Sequence, residues 1–185
     1  MPQFFRIAAS FVLLLVLGLA WATSQWTMQP AQSSLGFTAI QADAPFEASF
    51  DKFTADIRFD PKDLATSHFD VRIDLASVNT KDGERDDILR SADLFDVRQW
   101  PTGHYVAEKF TDKGGGKFSA TGQLTLRDVT RAVPIEFTFE NANGTAWLKG
   151  SAALKRLDFG VGQGDWKDTK TVANEVQIRF ALQLK

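Results

Sequence analysis

Residues 53–75 read "FTADIRFDPKDLATSHFDVRIDL", two alternating runs with a short link between them. Phe53, Ala55, Ile57 and Phe59 alternate with Thr54, Asp56, Arg58 and Asp60, and Phe69, Val71, Ile73 and Leu75 alternate with His68, Asp70, Arg72 and Asp74. Successive side chains of a strand point to opposite faces, so each run predicts a strand with one apolar and one wet face. The same period recurs at Phe118 to Leu126, Val133 to Phe139, Ala146 to Leu154 and Val176 to Leu184, and more weakly at Leu35 to Ala39, Phe46 to Phe50 and Tyr105 to Phe110. Turn residues separate the runs: Gly114-Gly115-Gly116, Arg127-Asp128 and Asn143-Gly144, the last a strong hairpin dipeptide.

Consecutive strands on short turns predict an antiparallel meander, as a sandwich or an up-and-down barrel of about eight strands. Strands this long favour the barrel, because closure removes edges that would otherwise be sticky. An eight-stranded barrel either fills its interior with side chains or holds one small ligand. Ala120, Gly122, Ala146, Gly150 and Ala152 leave space inward, and Phe137, Phe139 and Phe180 are large enough to fill it. Spacing alone leaves both outcomes open.

The first 22 residues have one basic residue, Arg6, then the apolar run "IAASFVLLLVLGLAWA", ending in Ala20-Trp21-Ala22 as a small-x-small site. They read as a cleavable export signal, followed by a single domain from residue 23 to 185. A retained anchor is the alternative, its run somewhat short of the ~20 residues a spanning helix prefers. Loss of Arg6 would take the net charge from -2 to -3, and acids and bases are interspersed, so no nucleic-acid footprint appears. There is no cysteine, which excludes disulfides, thiolate metal sites and thiol catalysis.

The segment "ERDDILRSADLFDVRQWP", Glu84 to Pro101, breaks the alternation. Asp82 is placed to cap a short helix whose first turn is acidic and whose last residue is Arg90; Ser91 then opens a second turn, and Pro101 stops it. Ile88, Leu89, Leu94, Phe95 and Trp100 form an apolar face that must be buried. In a closed meander the free apolar surface lies at a mouth, so the segment is expected to lid one end, with Arg85, Asp86, Asp87 and Arg90 at the rim or in solvent.

At this segment the chain resembles the YceI-like family. "SVNTKDGERDDILRSADLFDVRQWP" is similar to its Ser-Val-x-Thr, Arg-Asp-x-x-Leu-Arg-Ser and Trp-Pro signature. The resemblance extends to "WTMQPAQSSLGFTA", "TGQLTLRDVTRAV" and "RLDFGVGQGDW", in family order along the chain from residue 23 onward. It implies a periplasmic, lipocalin-like antiparallel barrel holding a polyisoprenoid or ubiquinone-like lipid. The Gly-x-Gly-x-Gly-Asp-Trp loop is similar to that of partners of cytochrome b561-type membrane proteins, so an accessory module with a filled barrel is the alternative. A homodimer is left open. Ala48 departs from the family's usual glycine, which puts pocket shape in doubt.

The candidate lining residues are Phe37, Phe50, Leu75, Leu89, Leu94, Phe95, Trp100, Leu124, Phe137 and Phe180; Arg85 and Asp86 either orient a head group at the mouth or, as such a pair more often does, supply helix-terminal charge and ion pairing for the lid. "FGVGQGDW" follows a strand and lacks a helix behind it, so it is not read as a phosphate cradle. His68 and His104 have no metal-ligand spacing. No cofactor and no catalysis are expected.

Overall fold

The structure is a computed structural model and describes residues 25–185; the export-signal reading of residues 1–22 lies outside them. Eleven strands form one continuous antiparallel sheet: β1 (Gln25–Thr27), β2 (Ser34–Gln41), β3 (Ala44–Phe50), β4 (Phe53–Arg58), β5 (His68–Asp74), β6 (Val78–Asn79), β7 (Thr102–Gly114), β8 (Lys117–Leu126), β9 (Val129–Ala142), β10 (Thr145–Lys155) and β11 (Glu175–Leu184). The fold class is the expected all-β barrel, and the strand count is eleven instead of eight. The difference has a simple origin. The first three long strands are each broken once: β1 and β2 lie end to end, as do β3 and β4, and β5 and β6.

The pairing shows this. β1 pairs with β4 and β2 with β3, in almost one register, from Gln25↔Arg58 to Gln41↔Ala44. β4 pairs with β5 and β3 with β6, again nearly in register, at Phe53↔Ile73 and Phe50↔Val78. The ring closes where β11 pairs with β2 at Phe180↔Leu35 and bridges Met28 at Leu184. The Thr27 amide donates to the Lys185 carbonyl at 2.7 Å, and the reverse bond is 3.0 Å. Eleven segments therefore make eight staves, each antiparallel to its neighbours.

Tight turns set the register. Both residues of the Asn143-Gly144 turn, and both of Ala42-Asp43, have positive φ, the type I′ geometry whose twist matches that of flanking strands. Glycine fits such angles freely; the other residues accept a modest strain.

One end of the barrel is filled. Phe59, with no exposed surface, sits at the centre of an aromatic cluster. Its ring centroid lies 4.9 Å from Phe139, 5.1 Å from Phe118 and 5.4 Å from Phe137, with Phe69 and Phe110 just beyond. Most of these pairs are tilted or edge-on, the arrangement ring quadrupoles favour. Trp26 packs edge-on against Phe139, and its indole N–H donates to the Phe59 carbonyl at 2.9 Å.

The other end carries the lid. Helix α1 (Gly83–Arg90) starts at Asp82, whose carboxylate accepts from the amides of Glu84 and Arg85 at 3.1 Å. Residues 91–99 continue as turns without a second helix. Asp86 departs from expectation: it is buried, and its carboxylate accepts from both the amide and the hydroxyl of Thr80 at 2.7 Å. A carboxylate with two such donors no longer needs water. Arg90, partly exposed at the rim, donates to the carbonyls of Ala76 and Val78 and so fixes α1 to the segment before it.

Candidate functional site

Between the aromatic plug and the lid lies an apolar cavity of about 370 Å³. Its floor is Ile57 and Phe69, its walls come from every stave, and its roof is Ile88, Leu89, Leu94 and Phe95. Polar side chains on its lining are few: Gln41, Asp82, Glu84 and Arg85 near the mouth, Arg156 beside the lid, and Tyr105 in the wall.

Nine of the eleven residues expected to bind ligand lie on this lining: Phe37, Phe50, Leu75, Arg85, Leu89, Leu94, Phe95, Leu124 and Phe180. Phe137 and Trp100 do not. Phe137 faces inward as alternation requires, but at the height of the plug, 5.4 Å from Phe59 and stacked on Phe118. Trp100 turns away from the cavity and lies under the Arg127 guanidinium, 4.5 Å from its ring centre. Asp86, whose alternatives were a head-group contact beside Arg85 or a structural role in the lid, is committed to Thr80.

The small inward residues divide between filled and open space. A Cβ at Gly122 would overlap the Tyr105 ring, and one at Gly150 would overlap Phe180 and the Glu136 carbonyl, so aromatic rings occupy both gaps. Ala152 and Ala39 border the cavity itself. Ala48 is buried but does not reach the cavity.

Three groups that the sequence reading passed over shape the site. Tyr105 lies in the wall, its hydroxyl donating to the Val133 carbonyl at 3.1 Å. Burial pushes its pKa up to about 12, partly offset by the Gly122 backbone, so it stays neutral. Arg127, on the β8–β9 turn, donates to the carbonyls of Ala92 and Leu94 and holds the lid down, with Asp96 3.9 Å away. Arg156 follows β10; it is 4 % exposed and donates to the carbonyls of Ala173, Val161 and Val172 at 3.0, 3.0 and 2.7 Å. The glycine-rich loop wraps that guanidinium. Gly162 has φ +121, and a Cβ there would overlap Arg156 Nη1. The loop reaches the lid as well, since the amides of Gly162 and Gln163 both donate to the Asp93 carbonyl, at 2.9 and 2.7 Å.

Arg85 stands at the mouth with its guanidinium 4.9 Å from the centre of the Phe46 ring and 3.9 Å from the Asp82 carboxylate. Half-exposed, it remains free to meet a polar group entering the mouth. The histidines lie elsewhere: His104 Nε2 is 2.9 Å from Asp70 and His68 Nδ1 is 3.7 Å from Glu108, both between β5 and β7 outside the cavity.

A closed antiparallel barrel, plugged at one end and enclosing an apolar cavity under a helical lid, defines a lipocalin-like protein. The chain belongs to the YceI-like domain family, which matches residues 26–184. Among its relatives, the UPF0312 protein VPA0850 of Vibrio parahaemolyticus is 33 % identical over 135 residues, 70 % of this chain and 68 % of that protein. BcnA of Burkholderia cenocepacia has a crystal structure that superposes with a TM-score of 0.82 at 34 % identity, over 84 % of this chain and 98 % of its own. A polyisoprenoid binding domain from Saccharophagus degradans shares the fold at 15 % identity, with a TM-score of 0.70 over 86 % of this chain and 97 % of that one.

Proposed function

We propose that this protein is a non-enzymatic carrier of an apolar lipid with a polyisoprenoid or quinone-like structure, acting in the periplasm after export. The observation that carries this reading is the cavity: largely apolar, roofed by a stapled lid, with its charged side chains gathered near one end and Tyr105 the one polar group in its wall. That is the form of a site that binds by shape and burial and orients one end of its ligand. Affinity would come chiefly from chain surface removed from water, at roughly 25 cal/mol per Å². The family membership and the polyisoprenoid binding domain of the same fold support the isoprenoid class.

The accessory-module reading, docked on a cytochrome b561-type membrane protein with a filled barrel, is disfavoured by the same cavity, since a filled interior would leave no such space. The deciding experiment is native mass spectrometry of protein exported to its own compartment and purified without detergent, followed by solvent extraction. A stoichiometric prenyl lipid or quinone is expected, and Leu124→Arg, which puts a charge into the wall, should come out bare. A folded Leu124→Arg protein with full lipid occupancy would remove this cavity as the binding site.

A further inference from the structure

The barrel wall is interrupted where its first staves are broken. Between the first two, the ladder stops at Thr27↔Asp56 and resumes at Gly36↔Ser49, so residues 28–35 lie across from the shorter stretch 50–55. The extra length goes into the exposed turn Pro30–Gln32. The next break is sealed by contrast. There the Asp51 amide donates to the Ser77 carbonyl at 3.1 Å, the Lys52 amide to the Ser77 hydroxyl at 3.0 Å, and the Asp74 amide to the Lys52 carbonyl at 3.0 Å. The gap is therefore one-sided.

A groove on the outer surface follows this gap, edged by polar residues such as Ser34, Ser49, Asp51, Thr54 and Arg72. Four of its lining residues, Leu35, Phe50, Phe53 and Ile73, also line the cavity. Phe53 and Ile73 are partners in the β4–β5 ladder, and both are only partly buried. One layer of apolar side chains thus separates the cavity from solvent here, and the ladder between the first two staves does not hold it shut. Swinging such side chains between rotamers is fast and breaks no backbone bond. Raising the lid is a larger event, because it parts Arg127 from Ala92 and Leu94, and Gly162 and Gln163 from Asp93.

We infer that this groove is a lateral portal: the lipid enters and leaves the cavity between the first two staves, displacing Leu35 and Phe53, while the lid stays down. This rests on the apolar-carrier reading and adds the route to it. A freed lid would add a second way out without removing this one.

The test is stopped-flow exchange of retinol, an isoprenoid alcohol whose fluorescence reports binding, on delipidated, exported protein. Thr54→Trp puts a bulky side chain into the groove at a residue that does not line the cavity, and Ser34→Trp does so from the facing stave. Each should slow association and release together by roughly tenfold, a small added barrier, and leave Kd within about twofold. Equal slowing of both rates marks a route, whereas a shifted Kd with one rate altered would mark a contact with bound ligand and overturn the inference. If one variant fails to fold, the other decides.

The chain has no cysteine, so Asp93→Cys combined with Gln163→Cys makes a single cross-link between lid and loop. The Gln163 amide lies 2.7 Å from the Asp93 carbonyl, which brings the two Cα atoms within disulfide reach. Oxidising this pair should leave both rates as they are in the reduced protein. Release halted by the oxidised lid would overturn the inference, as would tryptophan variants with wild-type rates; the lipid would then pass by the lid or the mouth, and the carrier reading would stand. Failure of the wild-type protein to bind retinol would sink both.

Discussion

Tyr105 is the single tyrosine of the chain, so its titration can be followed directly. Its pKa rises from 10.0 to about 12 because burial disfavours the phenolate. The folded protein then holds a proton that the unfolded chain has lost, so stability is complete below pH 10 and falls as pH climbs through that window. The loss should reach at most ~2–3 kcal/mol. Tyrosinate absorbance of the folded protein should rise near pH 12; a midpoint at the ordinary value would place the ring in water. Tyr105→Phe should flatten this part of the stability profile, at the cost of the hydroxyl's bond to the Val133 carbonyl. Gly162→Ala tests the neighbouring site. Its methyl would meet Arg156 at a backbone angle glycine alone adopts easily, so denaturant unfolding should show a loss of ~1–3 kcal/mol. Neither role was legible beforehand. Alternation shows that Tyr105 points inward, but not that its ring fills the gap at Gly122; the spacing of Gly160, Gly162 and Gly164 marks a special loop, but not the arginine at its centre.

Among the elements, the lid was the most readable and also the most misjudged in detail. Its start at Asp82, its length and its apolar roof follow from capping and from the apolar positions, and the structure has all three. The charged face was harder. A helix is expected to turn its acids to water, yet Asp86 is buried because Thr80, six residues earlier, offers two donors. Hydrophobicity alone groups Trp100 with the roof, whereas stacking under Arg127 draws it away. That stack and the bonds from Arg127 to Ala92 and Leu94 predict that Arg127 governs lid opening. Arg127→Ala should speed amide hydrogen exchange across residues 91–97 and hasten lipid release, with little change in the barrel strands. Equal acceleration across β8 to β11 would show that Arg127 supports the whole fold instead of the lid.

At the scale of the whole molecule, period-2 alternation located nine of the eleven strands and the antiparallel order, because every stave has one dry face. It missed β1 and β6, which at three and two residues are too short to show a period. It also cannot tell height along the barrel axis, which is why Phe137 and Phe180 looked alike although one belongs to the plug and the other to the cavity. Height decides how long a ligand the barrel accepts. A cavity of about 370 Å³ stands near the lower end of the roughly 300–1,000 Å³ typical of small-molecule sites, and Phe69 is shared between its floor and the aromatic cluster beneath. Phe69 should therefore act as a ruler for chain length. Phe69→Ala should cost ~3–5 kcal/mol of stability through the lost packing and extend the cavity toward Phe59, shifting preference toward longer isoprenoids in a competition of chain lengths read by native mass spectrometry. Phe69→Leu, a gentler truncation, should shift it in the same direction by less. A folded variant of either kind with the wild-type chain-length preference would mean that the aromatic plug does not set the depth of the site.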